Sequence, residues 1–238
     1  MAILGPPLLF KRTLRKYLMS KPNISKVFIV DDHELVRQGL RQLIDGEVDL
    51  QLCGEARNVS EALNMRSSLN PDVAIVDLSL PDGNGLDLIK QLHNWKANMQ
   101  IIALSMHDDE LYAERAINNG ASGYINKQDS AQKLLLGIRQ VINNKIFIKP
   151  AIAIRLQQSQ LNHVACEQNN ILVKLTNREF QVFDYIGQGL ETKAIAGKLH
   201  LSVKTIETHR RHIKDKLSLH SGTELVRTAI MWTLENNK

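Results

Sequence analysis

From Lys26 to about Lys149 the chain repeats one unit: a short apolar run closed by a polar residue, a turn, then an amphipathic stretch. The runs VFIV, VAIV, IIAL and GYIN lead into Asp31–Asp32, Asp77, Ser105 and Lys127. Short aliphatic runs that alternate with helix-period segments predict βαβ units, hence a parallel sheet covered on both faces. The pattern predicts strands over 26–31, 49–54, 72–77, 100–104 and 122–126, and helices over 34–45, 59–69, 84–94, 109–119 and 129–143. Sheets of this kind bind ligands outside the carboxyl ends of their strands. The polar endings therefore converge on one rim, bringing three carboxylates, a hydroxyl and an ammonium together.

The pattern changes at residue 150. Gln and Asn dominate RLQQSQLNHVACEQNN, which predicts a linker over 150–173 with one helical piece at its start. Beyond Leu175 the periodicity is helical, with helices predicted over 177–187, 191–199, 203–217 and 222–234. Thr176 and Glu179 have the spacing of a capping box. Charge divides along the same line: residues 26–150 carry 13 basic and 17 acidic side chains, and residues 174–238 carry 11 basic and seven acidic. A basic back half suits a polyanionic partner. Cys53 and Cys166 match no metal-ligand or redox spacing. No apolar run is long enough to span a bilayer. The apolar-then-basic order of MAILGPPLLFKRTLRKY is the reverse of a secretory signal, so a cytoplasmic protein without membrane contact is expected. Residues 1–25, with five basic and no acidic side chains, read as a disordered tail or the product of an upstream start.

Adjacent carboxylates at Asp31 and Asp32 require a counter-charge. A hard cation with an incomplete protein shell, Mg2+, supplies it and still accepts phosphate oxygens. A carboxylate such as Asp77 can attack phosphorus, with Lys127 and Ser105 placed to hold phosphoryl oxygens. The plainer alternative is capping: Asp32 or His33 can simply start the helix at 34–45. In the back half, a helix over 203–217 puts Ile206, Ile213 and Leu217 on one face and Lys204, Glu207, Thr208 and Arg211 on the other. Preceded by 191–199 and the turn HLS, and capped by Ser202, this makes a helix-turn-helix. On charge alone, a small bundle with a solvated outer face is the better reading.

The segments FIVDDHELVRQGL, VAIVDLSLPDGNGLDLI, IIALSMHDDE and GASGYINK resemble, in order, the receiver domain of two-component response regulators. The resemblance implies a doubly wound, flavodoxin-like α/β fold of five parallel strands over 26–149. It implies phosphorylation of Asp77 by a sensor histidine kinase. Mg2+ would be held by Asp31, Asp32, Asp77 and the backbone carbonyl of Ser79. Ser105 and Lys127 would stabilise the phosphoryl group, and Tyr124 would be the aromatic switch. LTNREFQVFDYIGQGLETKAIAGKLHLSVKTIETHRRHIKDKL resembles the DNA-binding domain of NarL/FixJ/LuxR regulators. That resemblance implies an all-α four-helix domain over 174–238 that binds promoter DNA as a homodimer. Glu207, Thr208 and Arg211 would face bases, with Ser202, Lys204, Thr205 and His209 nearer the backbone. Leu225, Ile230 and Trp232 of the last helix would meet a core or a dimer partner. Glu207 and Gly222 depart from the Lys and Arg that many members carry. An aspartate-nucleophile phosphatase, the enzymatic alternative, needs two aspartates two residues apart on the first strand; here the pair is adjacent. A transcription regulator rather than an enzyme is therefore expected.

Overall fold

The computed structural model describes residues 24–106, 110–161 and 171–236. Five strands form one parallel sheet: β1 (Ser25–Val30), β2 (Leu50–Ala56), β3 (Val73–Asp77), β4 (Gln100–Ser105) and β5 (Gly123–Asn126), in the order β2-β1-β3-β4-β5. Alternation along the strands sorts their side chains between two faces. Val27, Ile29, Val73, Ile75, Ile102, Leu104 and Ile125 pack under α1 (Glu34–Asp45) and α5 (Ala131–Ile142). Phe28, Val30, Ala74, Val76, Ile101 and Ala103 lie on the other face, toward α2 (Val59–Met65), α3 (Gly85–Trp95) and α4 (Glu110–Asn118). Asn58, Asn84 and Ser130 cap α2, α3 and α5 through side-chain oxygens.

The helical part comprises α6 (Pro150–Leu161), a 3-10 turn at Ile171–Lys174, α7 (Asn177–Gly187), α8 (Thr192–Lys198), α9 (Val203–Leu217) and α10 (Gly222–Asn236). Both halves of the predicted capping box form at Thr176 and Glu179. The Glu179 carboxylate also accepts from Lys216 Nζ at 2.6 Å, tying α7 to α9. Burial works to raise the Glu179 pKa, but the bonds from Lys216 and Thr176 hold it below its usual value. Ile206, Ile213 and Leu217 are buried as the helical wheel requires. Leu225 is core, and Trp232 stacks edge-on to Phe180 at 5.5 Å. The two parts share one hydrophobic cluster, which runs from Val76 and Leu88 through Tyr112 to Phe180 and Leu225.

Three elements differ from the sequence expectation. The helix expected over 59–69 stops at Met65, whose carbonyl accepts the backbone amides of Ser68 and Leu69 and the Ser68 hydroxyl as the chain turns away. The expected linker is not free at its start. Its helix α6 buries Ile152 and packs Leu156 against the cluster that includes α4. The 3-10 turn at 171–174 has no periodic signature to predict it. The basic extension (residues 1–23), Cys166 and most of the Gln/Asn-rich stretch lie outside the described residues. Among the described residues, no helix is long and apolar enough to cross a membrane.

The loop that follows β3 turns so tightly that a Cβ at Gly85 would sit 2.1 Å from the Asp77 carbonyl oxygen and 2.5 Å from Leu78 Cα. Backbone atoms cannot yield as a side chain can. Gly85→Ala is expected to lower stability by roughly 1–3 kcal/mol, as overpacking does, read as a lower thermal midpoint; an unchanged midpoint would mean the loop has slack.

Candidate functional site

Asp31 follows β1 and Asp77 ends β3, and those strands are neighbours in the sheet. Both carboxylates are buried, 0% and 1% exposed. Lys127, just past β5, extends over the rim so that its Nζ lies 2.7 Å from Asp31 Oδ2 and 2.7 Å from Asp77 Oδ2. Local backbone fixes each acid. The His33 amide donates to Asp31 Oδ1 at 2.9 Å, the Ser79 amide donates to Asp77 Oδ1 at 3.1 Å, and buried Arg37 donates to the Asp31 carbonyl at 2.7 Å. Ser105 closes β4 with its side chain buried, and its carbonyl accepts the Lys127 amide at 2.8 Å. Tyr124 is buried on β5 beside it. Asp31, Asp32, Asp77, Ser105 and Lys127 thus meet at the carboxyl ends of the strands, with Ser79 on the loop after β3, while Tyr124 lies back from the rim, level with Ala103.

The charges at this rim do not balance. One ammonium faces two buried carboxylates, with Asp32 half-buried beside them. Burial pushes the Asp77 carboxyl up to about 6; Lys127 pulls against this and Asp31 adds to it. Burial disfavours the charged Lys127, but Asp77 and Asp31 outweigh it and its pKa stays above the usual lysine value. The lysine is therefore a fixed cation, and the carboxylates carry the surplus charge.

A divalent cation fits this surplus. Donor atoms of Asp31, Asp32, His33 and Asp77 lie within 4.8 Å of one another. Among the described residues, Asp31 Oδ2 and Asp32 Oδ1 are buried and make no aligned hydrogen bond, although Lys127 and His33 nitrogens lie 2.7 Å away. Carboxylates with spare lone pairs suit a hard ion that keeps part of its water shell. His33 stands at the N-cap of α1 without capping it, so the capping alternative does not account for the pair. The sequence reading gave His33 no part in the cluster; its adjacency in the triplet DDH was the available signal.

The second surface is α9. Ser202 caps it, accepting from the Thr205 amide at 3.0 Å. Lys204, Glu207 and Arg211 are exposed along one side, Thr205 and Thr208 are half-buried, and Thr208 Oγ1 donates to the Lys204 carbonyl. His209 is half-buried, and its Nδ1 is buried without a hydrogen bond among the described residues. Burial and the nearby Arg178 charge lower its pKa. It therefore turns at least one ring edge inward, unlike its neighbours on the outer face.

Two family models match. Residues 27–139 match the response regulator receiver domain, and residues 173–229 match the bacterial regulatory proteins of the luxR family. The chain belongs to the LuxR-type two-component response regulators. Curated relatives agree along nearly their whole length. The transcriptional regulatory protein UhpA of Escherichia coli K12 is 36% identical over 201 residues, 84% of this chain and 95% of that protein. The oxygen regulatory protein NreC of Staphylococcus haemolyticus is 34% identical over 209 residues, 86% and 96% respectively. A LuxR-family response regulator from Aurantimonas sp. SI85-9A1 has a TM-score of 0.53 at 28% identity, covering 58% of this chain and 99% of its own. The RcsB response regulator of Salmonella typhimurium has the same fold, with a TM-score of 0.62 at 23% identity over 88% of this chain and 98% of its own. The molecule is thus a transcriptional response regulator with a receiver and a LuxR-type helix-turn-helix.

The buried Asp77 proton has a measurable consequence. Its folded pKa, about 6, lies above the ordinary 3.8. The folded state then binds this proton more tightly than the unfolded chain, so Asp77 costs stability progressively as pH rises through that window. Asp77→Asn is expected to raise the thermal midpoint at pH 7.5 without divalent cations, with the gain vanishing below about pH 4. A gain independent of pH would exclude an ionised buried carboxylate as its cause.

Proposed function

We propose that Asp77 accepts a phosphoryl group from a sensor histidine kinase and that the phosphorylated chain controls promoter DNA through α9. The observation that carries this reading is Lys127 Nζ held 2.7 Å from both Asp31 and Asp77. An ammonium so placed can follow the charge from the carboxylate to the phosphoryl oxygens. Asp77 attacks phosphorus through an ionised side-chain oxygen; the new O–P bond replaces the donor's P–N bond, whose electron pair returns to the donor nitrogen, and the donor, already protonated on its other ring nitrogen, leaves as neutral imidazole. Lys127 and the Ser105 hydroxyl then face phosphoryl oxygens, the charge-stabilising role that preorganised donors perform best. Asp31, Asp32, Asp77 and the Ser79 carbonyl are the residues that would hold Mg2+. When bound, the ion neutralises charge that develops on the transferring group.

Tyr124, on the strand just before Lys127, is the switch residue of this reading, responding to the position of Ser105. A phosphoryl group adds about −1.5 to −2 charge at neutral pH. Held at Asp77, it is a stored signal, not a turnover intermediate. The receiver is assigned to residues 26–149 and the DNA-binding domain to 174–238. In α9, Glu207, Thr208 and Arg211 read bases, while Ser202, Lys204, Thr205 and His209 contact the phosphate backbone. Exposed Ile230, Met231 and Leu234 on α10 support pairing of two copies on DNA. The site of action is the cytoplasm, where kinase output and promoter meet.

Asp77→Asn is expected to abolish labelling by acetyl phosphate in the presence of Mg2+; persistent labelling would move the phosphosite elsewhere. Arg211→Ala should weaken binding to the operator by about 1–3 kcal/mol if it makes a bidentate base contact. An unchanged footprint would remove Arg211 from base reading.

A further inference from the structure

Helix α7 is buried on every side from Glu179 to Gly187, although it carries polar side chains. Gln181 and Asp184 are each 3% exposed. Buried polar groups require partners, and theirs come from the receiver. Asn84 Nδ2 donates to Gln181 Oε1 at 3.3 Å, and the Tyr112 hydroxyl donates to Asp184 Oδ2 at 3.1 Å. Asn177 Nδ2 donates to Asp87 at 2.8 Å. Arg115 holds the segment before α7, donating to the carbonyls of Leu172 at 2.6 Å and Leu175 at 3.1 Å.

Arg178 has a more particular position. Its Nη1 donates to the Gly83 carbonyl at 3.3 Å and to Gln181 Oε1 at 2.8 Å, and its Nη2 donates to the Leu199 carbonyl at 2.9 Å. Gly83 and Asn84 lie on the loop from Asp77 to α3. Leu199 ends α8 and opens the turn that leads into α9. One planar guanidinium thus joins the loop beside the acidic rim to the turn of the helix-turn-helix. The Tyr185 phenol of the same helix is raised chiefly by burial, with the charges of Asp184 and Asp77 adding to it.

We propose that Arg178 is a positioning residue for phosphoryl transfer at Asp77, acting through the Gly83 carbonyl and the β3–α3 loop. This rests on the reading of Asp77 as the phosphoacceptor. With α7 docked, the loop is pinned at Gly83, Asn84 and Asp87, the Ser79 amide is engaged by Asp77, and the Asp77 side chain is shut from solvent. A phosphodonor has to reach a carboxylate that is 1% exposed with the loop in this position. Releasing Arg178 frees the loop and, at its other end, the turn before α9. The coupling is reciprocal: whatever fixes α9 on DNA alters the loop by the same factor. Lysine cannot substitute, because a single ammonium lacks the fork that spans two carbonyls.

The test uses the full chain, with Arg178→Ala, Arg178→Lys and Gln181→Ala beside the wild type. Labelling by acetyl phosphate with Mg2+ is timed, and amide hydrogen exchange is followed over 79–84 and 199–202. Both Arg178 variants are expected to label roughly fivefold or more faster, the lower range of allosteric couplings, and to lose protection in both segments. Gln181→Ala, which keeps the bond from Arg178 to Leu199, is expected to label at an intermediate rate. It also decides the matter if the Arg178 variants fold poorly: a wild-type rate there overturns the proposal. Equal rates in wild type and both Arg178 variants overturn it too, as does full rescue by lysine, which would reduce the role to charge. If no form is labelled, the reading of Asp77 fails instead. Exchange then still decides the link, since loss of protection confined to 199–202 overturns it.

Discussion

One ammonium shared by two buried carboxylates is the constraint on which this structure turns. At about 4 Å and an effective dielectric of about 20, two unit charges interact by about 4 kcal/mol, so Asp31 and Asp77 cannot both stay ionised beside each other unaided. The strand order makes the arrangement possible. Asp31 and Asp77 are close because β1 and β3 are direct neighbours. Lys127 lies just past β5, two strands from β3 and three from β1, so the loop after β5 and the length of the side chain together carry its ammonium to both carboxylates. The negative charge left over at the rim is the surplus that a divalent ion would offset.

The same sheet governs how the two parts of the chain meet. The face under α1 and α5 is closed by those helices, and its cluster holds no residue of the helical part. The face under α3 and α4 is open at its edge, and α7 completes it. The cluster therefore runs continuously from sheet to helix-turn-helix, with the Tyr112 and Phe180 rings 4.7 Å apart at the seam. Arg115 lies over the Phe180 ring at 4.3 Å while bonding the carbonyls before α7. Apolar contact supplies the area of this seam, and hydrogen bonds fix its register.

Much of this was legible in the sequence because both the sheet and the outer helices write their burial as periodicity. Helices 34–45, 177–187 and 203–217 have the limits the pattern predicts, and each strand ends within two residues of its expected position. The rim followed from where apolar runs stop. The seam between the parts did not. Gln181, Asp184 and Arg115 look like solvated side chains on amphipathic helices, and nothing local distinguishes a polar group facing water from one facing another domain. His33 was missed for a related reason: next to two aspartates at a helix start, an imidazole reads as a cap. The early end of α2 comes from a turn closed on the Met65 carbonyl, a local feature that periodicity does not register.

The polar composition of α7 has a consequence for reversibility. A helix destined for permanent burial would be apolar all round, and exposing it would invite aggregation. Gln181, Asp184 and Arg178 remain soluble when undocked, exchanging receiver partners for water at a net cost of about 1 kcal/mol per hydrogen bond. For the phosphate-controlled function proposed above, such a face has a use: it would meet water without aggregating on release, and its hydrogen bonds to the receiver could form again on return.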